Sequence, residues 1–361
     1  MKKMEASELG SEPVDEELEQ ALREARARIT AVGCGGAGGN TISRMMEVGI
    51  QGADTLALNT DAQDLLNATA DRKLLVGREI TGGLGAGNDP SKGEEAARQS
   101  EDELKEHLHR ADMVFVTCGL GGGTGTGASP IVAEVAKRLD ALTVGVVTLP
   151  FSVEGKRRSR NAEVGLRNLR EVADTVIVIP NNRLLRVAPD LPIPAAFMAA
   201  DQLLMDTIRG ITELITKPGL INLDFADVRT VLSKGGVAMI GIGESGRENR
   251  ATKAADEALN SPLLDVDITG AGGGLVNVTG SPDMSLDEAK SVVGAVSEAL
   301  APGAQISWGA QVSDDLTKAV RVMVILSEVH SPYAPSPGEG PTGERREPGG
   351  EELELELESL G

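Results

Sequence analysis

The stretch Gly119-Leu120-Gly121-Gly122-Gly123-Thr124-Gly125-Thr126-Gly127 follows the apolar run Met113 to Cys118 and leads into a helical pattern from Ala128 to Asp140. From Gly121 onward it is five glycines and two threonines. Glycine lets backbone N–H groups come close to an anion, and a helix N-terminus favours negative charge at that place. A similar loop, Gly33-Cys34-Gly35-Gly36-Ala37-Gly38-Gly39-Asn40, ends the apolar run from Ile29 and opens a helix predicted from about Asn40 to Val48. Read alone, this first loop matches G-x-G-x-x-G at Gly33, Gly35 and Gly38, the dinucleotide fingerprint. The acid expected about 20 positions further on falls at Asn59-Thr60-Asp61, so an NAD-dependent oxidoreductase stays open on that loop. Two such loops on strand–helix units suit a di- or triphosphate lying across the sheet edge. The P-loop solution needs Gly-Lys-Ser or Gly-Lys-Thr, and the chain contains neither; Gly155-Lys156 is followed by Arg157.

Working outward, Asp54 to Thr60, Leu142 to Pro150 and Asp174 to Asn182 read as further strands, with helical stretches between them such as Ser159 to Ala173. Strand, glycine loop and helix in repetition give a doubly wound α/β sheet with its ligand at the carboxyl ends of the strands. A long helical pattern from Ala195 to Thr216 is stopped by Lys217-Pro218-Gly219. Strands near Val237–Ile242, Leu275–Thr279, Ala304–Val312 and Val320–Ser327, with helices near Thr252–Asn260 and Leu286–Leu300, predict a second, smaller α+β unit.

The 361 residues are 40 % apolar, enough for a substantial core. Aromatic residues make up 2 % and the net charge is −20. That excludes an aromatic stacking platform for single strands and disfavours any phosphate backbone as partner. No apolar run reaches the ~18 residues of a membrane span, and the acidic start MKKMEASELG is not a signal peptide. A cytoplasmic protein without direct membrane insertion is expected. Residues 1–20 carry −5 and residues 331–361 carry −6, so the ends hold more than half of the charge. Val14, Leu18, Leu22 and Ala25 share one face of a short amphipathic helix. Residues 331–350 read as a Pro/Gly linker, and Leu353, Leu355 and Leu357 alternate with glutamates. That alternation reads either as a strand added to a partner's sheet or as a solvated acidic tail. Cys34 and Cys118 are too few for a disulfide framework or a zinc site, and His107, His109 and His330 lack metal spacing.

The run Gly121 to Gly127 is the tubulin-superfamily pattern G-G-G-T-G-T-G, and from about Ile29 to Glu328 the chain resembles the FtsZ family, prokaryotic relatives of tubulin. The resemblance rests also on Asn59-Thr60-Asp61, Gly85-Ala86-Gly87-Asn88, Pro150 to Arg158, Pro180-Asn181-Asn182 and Thr216 to Asp227. It implies a tubulin-like GTP-binding domain (29–194), a central helix (195–220) and a C-terminal GTPase-activating domain (221–330), between an acidic extension (1–28) and a linker with tail (331–361). It implies GTP and GDP as ligands with Mg²⁺, head-to-tail filaments of the chain itself, a place in the mid-cell division ring, and a membrane-anchoring adaptor on the C-terminal tail. The acidic ends hint at an archaeal-type relative.

By the same resemblance, Gly35, Gly36, Ala37, Gly38, Gly39, Asn40 and Asn59 belong to the nucleotide site, as do Gly122, Gly123, Thr124, Gly125, Thr126 and Gly127, with both threonine hydroxyls as donors. Ala86 and Gly87 match the loop that senses the terminal phosphate, although Gly82 to Asn88 reads equally as a mobile turn. Glu154 and Arg158 match positions near ribose and phosphates, suited by a carboxylate that accepts two hydroxyls and a guanidinium fork. Asp201 and Asn181 match the guanine contacts, and Phe197 a ring stacked on the base or an ordinary core residue. Many relatives have Asn-Asp where this chain has Asp201-Gln202. Asn222, Asp224 and Asp227 match the catalytic loop that reaches the adjoining subunit, although Asp227 before Val228-Arg229 reads by itself as a helix N-cap. Carboxylates beside a γ-phosphate need a cation between them. Besides an assembly-activated GTPase, the alternatives are the oxidoreductase and a non-hydrolysing GTP-binding scaffold.

Overall fold

A computed structural model describes residues 27–187, 192–217, 219–234, 236–264 and 268–329. The amphipathic face at residues 14–25, the linker and tail beyond 330, His330 and Pro218 lie outside the described residues.

The first half alternates strand and helix: β1 (Ile29–Cys34), α1 (Gly35–Val48), β2 (Ala53–Asn59), α2 (Ala62–Asn67), β3 (Arg72–Leu75), α3 (Arg78–Thr81), α4 (Pro90–Gln99) and α5 (Glu101–Leu108). It continues with β4 (Met113–Gly119), α6 (Thr124–Arg138), β5 (Leu142–Leu149), α7 (Lys156–Val172), β6 (Thr175–Pro180) and α8 (Asn181–Val187). The long helix α9 (Ile193–Thr216) leads to α10 (Phe225–Leu232), β7 (Val237–Ser245), α11 (Arg250–Leu259), β8 (Gly273–Gly280), α12 (Leu286–Ala299), β9 (Gln305–Val312) and β10 (Val320–Ser327).

The strands join in the order β3-β2-β1-β4-β5-β6-β7-β10-β8-β9. From β3 to β7 every pairing is parallel, whereas β10 runs antiparallel to both neighbours. The two halves are therefore less separate than the sequence suggests. β7 pairs with β6 at only Val176↔Val237 and Ile177↔Ala238, and then with β10 over seven positions.

Strands β1, β4 and β6 are buried at every residue or all but one, as a parallel sheet covered on both faces requires. One face is covered by α4, α6, α11 and α12. The other carries α9, whose Leu204, Ile208 and Ile211 are fully buried beside Ile42, Phe115, Leu275 and Ile325. That second core runs unbroken from the first half into the second, so α9 binds the two together through side chains each contributing roughly 1.5–3 kcal/mol of burial.

Both glycine loops turn into helix earlier than the pattern predicts: α1 begins at Gly35 rather than Asn40, and α6 at Thr124 rather than Ala128. The helix ends thus reach into the loops, and their free N–H groups lie at the strand ends.

Candidate functional site

The carboxyl ends of β1, β4, β5 and β6 open on a cleft of about 360 Å³, within the range of small-molecule sites. Fifteen of the residues singled out in the sequence line it: Gly35, Gly36, Ala37, Asn59, Ala86, Gly87, Gly122, Gly123, Thr124, Gly125, Glu154, Arg158, Asn181, Phe197 and Asp201. They come from seven separate segments, which the parallel strand order brings to one edge.

Its floor is backbone. Gly35 stands at φ +71, and a Cβ there would meet the Gly125 nitrogen at 2.9 Å, so the two glycine loops touch without side chains between them. A Cβ on Gly123 would strike the Gly87 carbonyl and the Ala86 methyl, which brings the third loop against the second. Asn59 Oδ1 accepts from the N–H of Thr60 at 2.9 Å, and the Thr60 and Thr124 hydroxyls pair at 2.6 Å.

Five positions differ from the expectation that the glycine loops face a ligand throughout. Thr126 is buried and its Oγ1 accepts from the Gly121 N–H at 2.8 Å, so this hydroxyl braces the loop while only Thr124 lines the cleft. Gly127 packs on Pro90 and Glu94 of α4, and Gly38 on the backbone of Gly33 and Thr117. Gly39 and Asn40 line a smaller adjoining cavity between α1 and β2. Side-chain direction in such turns follows from local φ and ψ, which residue spacing does not encode. Asp61, Asp64 and Thr148 line the cleft although the sequence reading did not select them. Asp61 caps α2 through Gln63 and Asp64 N–H groups at 2.9 and 3.1 Å, an Asp-x-x pattern that could have been read as an N-cap.

At one end of the cleft Glu154 pairs with Arg158 at 2.9 Å while its other oxygen accepts from the Phe151 N–H at 2.8 Å. The Arg158 Nε remains buried without a partner. The buried Phe151 ring meets that of Phe197, which is 39 % exposed, edge to face, with ring centroids 5.0 Å apart. One ring holds the other upright and leaves its face open, which separates Phe197 from a core residue. Asn181 is buried, and no group of the protein satisfies its Oδ1. Burial pushes the Asp201 carboxyl up to about 6, with Arg44 pulling the other way. The cleft thus combines a backbone cradle for anions, an aromatic wall, and two acceptors lacking donors. Cys34 and Cys118 are buried at its base, and burial raises both thiols, Cys118 to about 12, so neither is a ready thiolate.

Residues 28–189 match the model of the Tubulin/FtsZ family GTPase domain, and residues 236–330 that of the FtsZ family C-terminal domain. Cell division protein FtsZ 1 of Thermococcus kodakarensis is 60 % identical over 321 residues, covering 89 % of this chain and 86 % of that protein. The chain belongs to the FtsZ family. It is a cell-division GTPase of the tubulin-like cytoskeleton. Among other FtsZ proteins, that of Methanothermobacter thermautotrophicus is 54 % identical over 92 % of this chain and 87 % of its own length. A solved FtsZ dimer from M. jannaschii, described as empty, superposes with a TM-score of 0.84 at 54 % identity, over 88 % of this chain and 92 % of that one. CetZ2 of Haloferax volcanii, solved as a GTPγS-bound protofilament, shares the fold with a TM-score of 0.73 at 21 % identity, over 84 % and 93 % of the two chains. These relatives overturn the oxidoreductase reading of the first loop.

In this FtsZ-family chain Asn222, Asp224 and Asp227 lie outside the cleft. Asn222 Oδ1 accepts from the Gly219 N–H at 2.6 Å, closing the turn after α9. Asp224 occupies the N-cap position of α10, yet its side chain makes no cap hydrogen bond, and Asp227 follows in the first turn. Both carboxylates are exposed, and Asp227 is not a cap. Phe197 and Thr216 are separated by about 28 Å of helix at 1.5 Å per residue, so the cleft and the acidic turn lie towards opposite ends of α9. Among the described residues no group of three His, Cys, Asp or Glu side chains is arranged to hold a metal ion, and no helix is long and apolar enough to cross a membrane.

Proposed function

We propose that the cleft binds GTP, and that hydrolysis takes place where the Asn222–Asp227 turn of one copy closes over the cleft of the next. The observation that carries this reading is the distance along α9. The groups suited to a nucleotide gather at one end of the helix, two exposed carboxylates stand past the other, and no folded single chain can join them. A contact that joins unlike ends is head-to-tail, and where its rotation closes no ring it yields an open filament. The dimer of the M. jannaschii relative supports self-association.

In this scheme the N–H groups of Gly35 to Ala37 and Gly122 to Gly125 hold the phosphates, and Ala86-Gly87 meets the terminal one. Arg158 adds a fork whose Nε still lacks a partner, and Glu154 accepts from the ribose. Guanine lies against Phe197, its N–H donors directed to Asp201 and to the orphaned Asn181 oxygen. A base without those donors leaves the buried Asn181 oxygen and the half-buried Asp201 carboxylate unsatisfied, which is the source of specificity. Mg²⁺ fits as an ion carried largely by phosphate oxygens and water, with Asp61 and Asp64 the cleft carboxylates beside it. Bound there it neutralises phosphate charge. Asp224 and Asp227 from the neighbour polarise and orient the attacking water, and Asn222 fixes the turn that presents them. The segment beyond residue 330 serves as the tether to a membrane-anchoring adaptor, placing the filament in the cytoplasm at the division ring.

The deciding experiment is phosphate release per chain against protein concentration, followed together with light scattering in GTP and Mg²⁺. Release should rise steeply where scattering begins. Release per chain that is as fast in dilute, non-scattering samples as in concentrated ones would eliminate the shared site.

A further inference from the structure

Two of the cleft's loops come from distant parts of the chain, and a single amide holds both. Asn161, one turn into α7, donates from its side-chain NH₂ to the carbonyl of Asn88 at 3.2 Å and to that of Gly121 at 3.2 Å. Arg157, one turn earlier, donates to the same Asn88 carbonyl at 3.2 Å. The segment before Asn88 has little stiffness of its own. Gly82, Gly83, Gly85 and Gly87 all stand at positive φ, between 58° and 84°, a conformation that glycine leaves as readily as it enters. Its near end is hung on β2 through Gly85 N–H to the Thr60 carbonyl at 3.2 Å and the bridge of Leu84 with Asp61. Its far end is gripped by α7.

We propose that Asn161 is a positioning residue for the terminal phosphate: by spanning the Asn88 and Gly121 carbonyls it fixes the gap between the Ala86-Gly87 loop and the Gly122-Gly123 turn. The inference rests on the nucleotide reading given above and assigns a discrimination within it. Without the clamp the loop has to be ordered when GTP enters. GDP, which lacks the group this loop meets, does not require that ordering. The cost therefore falls on GTP alone.

The test is titration of fluorescent GTP and GDP analogues into the full chain with Mg²⁺, below the concentration of assembly. Asn161→Asp keeps the side-chain shape but replaces both donors with an acceptor facing two carbonyls. It should weaken GTP about tenfold, equivalent to about 1.4 kcal/mol, and leave GDP within about twofold. Asn161→Ala, which adds no charge, should show the same selective loss with the thermal midpoint little changed. Equal losses for GTP and GDP, or unchanged GTP binding, would each overturn the proposal. A parent chain that bound neither analogue would instead refute the nucleotide reading on which it stands.

Discussion

Asp201 holds its charge against its surroundings. Burial raises its carboxyl to about 6, so in the empty fold it takes up a proton below about pH 6 and is ionised above it. The stability this group contributes is complete below its ordinary value near 4 and is lost as pH rises through about 6. A base with two N–H donors needs the ionised form. GTP affinity should therefore fall as pH is lowered from 7 to 5, and in Asp201→Asn it should be weaker throughout and nearly flat; equilibrium binding at pH 5, 6 and 7 decides this. At this scale the motif matches placed most of the cleft, because each strand end delivers its loop to the same edge. They failed at Thr126, whose hydroxyl is turned inward onto the Gly121 N–H. Nor did they reveal Asp64, which reaches the cleft because α2 starts beside it.

Helix α4 meets α6 through missing side chains. Gly127 of α6 lies on the Pro90 carbonyl, and Gly93 of α4 lies on Gly123. A Gly127→Ala methyl would force the helices apart and shift the Gly85–Asn88 segment that leads into α4. We expect a loss of roughly 2 kcal/mol or more, of the size caused by overpacking, together with weaker GTP binding, read by thermal melting and titration. Gly294, exposed in α12, offers the contrast, since a Cβ there meets nothing within 4 Å. Gly294→Ala should stabilise by about 0.5–1 kcal/mol with unchanged turnover. The long apolar strands and α9 were legible because burial on both faces, or along one stripe, leaves a periodic trace. Helix α4 left none: it buries only Gly93, Ala96 and Ala97, and the rest of Pro90–Gln99 is polar. The edge strand β3 is equally faint, with only Leu74 buried.

Across the molecule, the division of labour along α9 predicts how loop variants behave. Asp224→Ala and Asp227→Ala should keep GTP and still scatter light, with phosphate release lowered about a hundredfold or more. Turnover at the parental rate in either would show that the turn after α9 has no chemical part. Chelation of Mg²⁺ should stop release in the parent without melting it, since among the described residues no cluster is built to hold a structural metal. The cleft and the acidic turn are separate motifs in the sequence, and only the resemblance implies that the turn serves an adjoining subunit; the structure adds the length of helix between them, because the residue pattern says nothing about which ends face the same way. In the filament proposed above, the rod that separates the two half-sites also acts as a clock. A chain whose cleft faces open water at one tip has no neighbour to cut its triphosphate, so that tip stays charged however old the polymer becomes. The opposite tip presents carboxylates with nothing to act upon. Identical links thus make a string whose two extremities differ chemically, and only a covered joint begins to age.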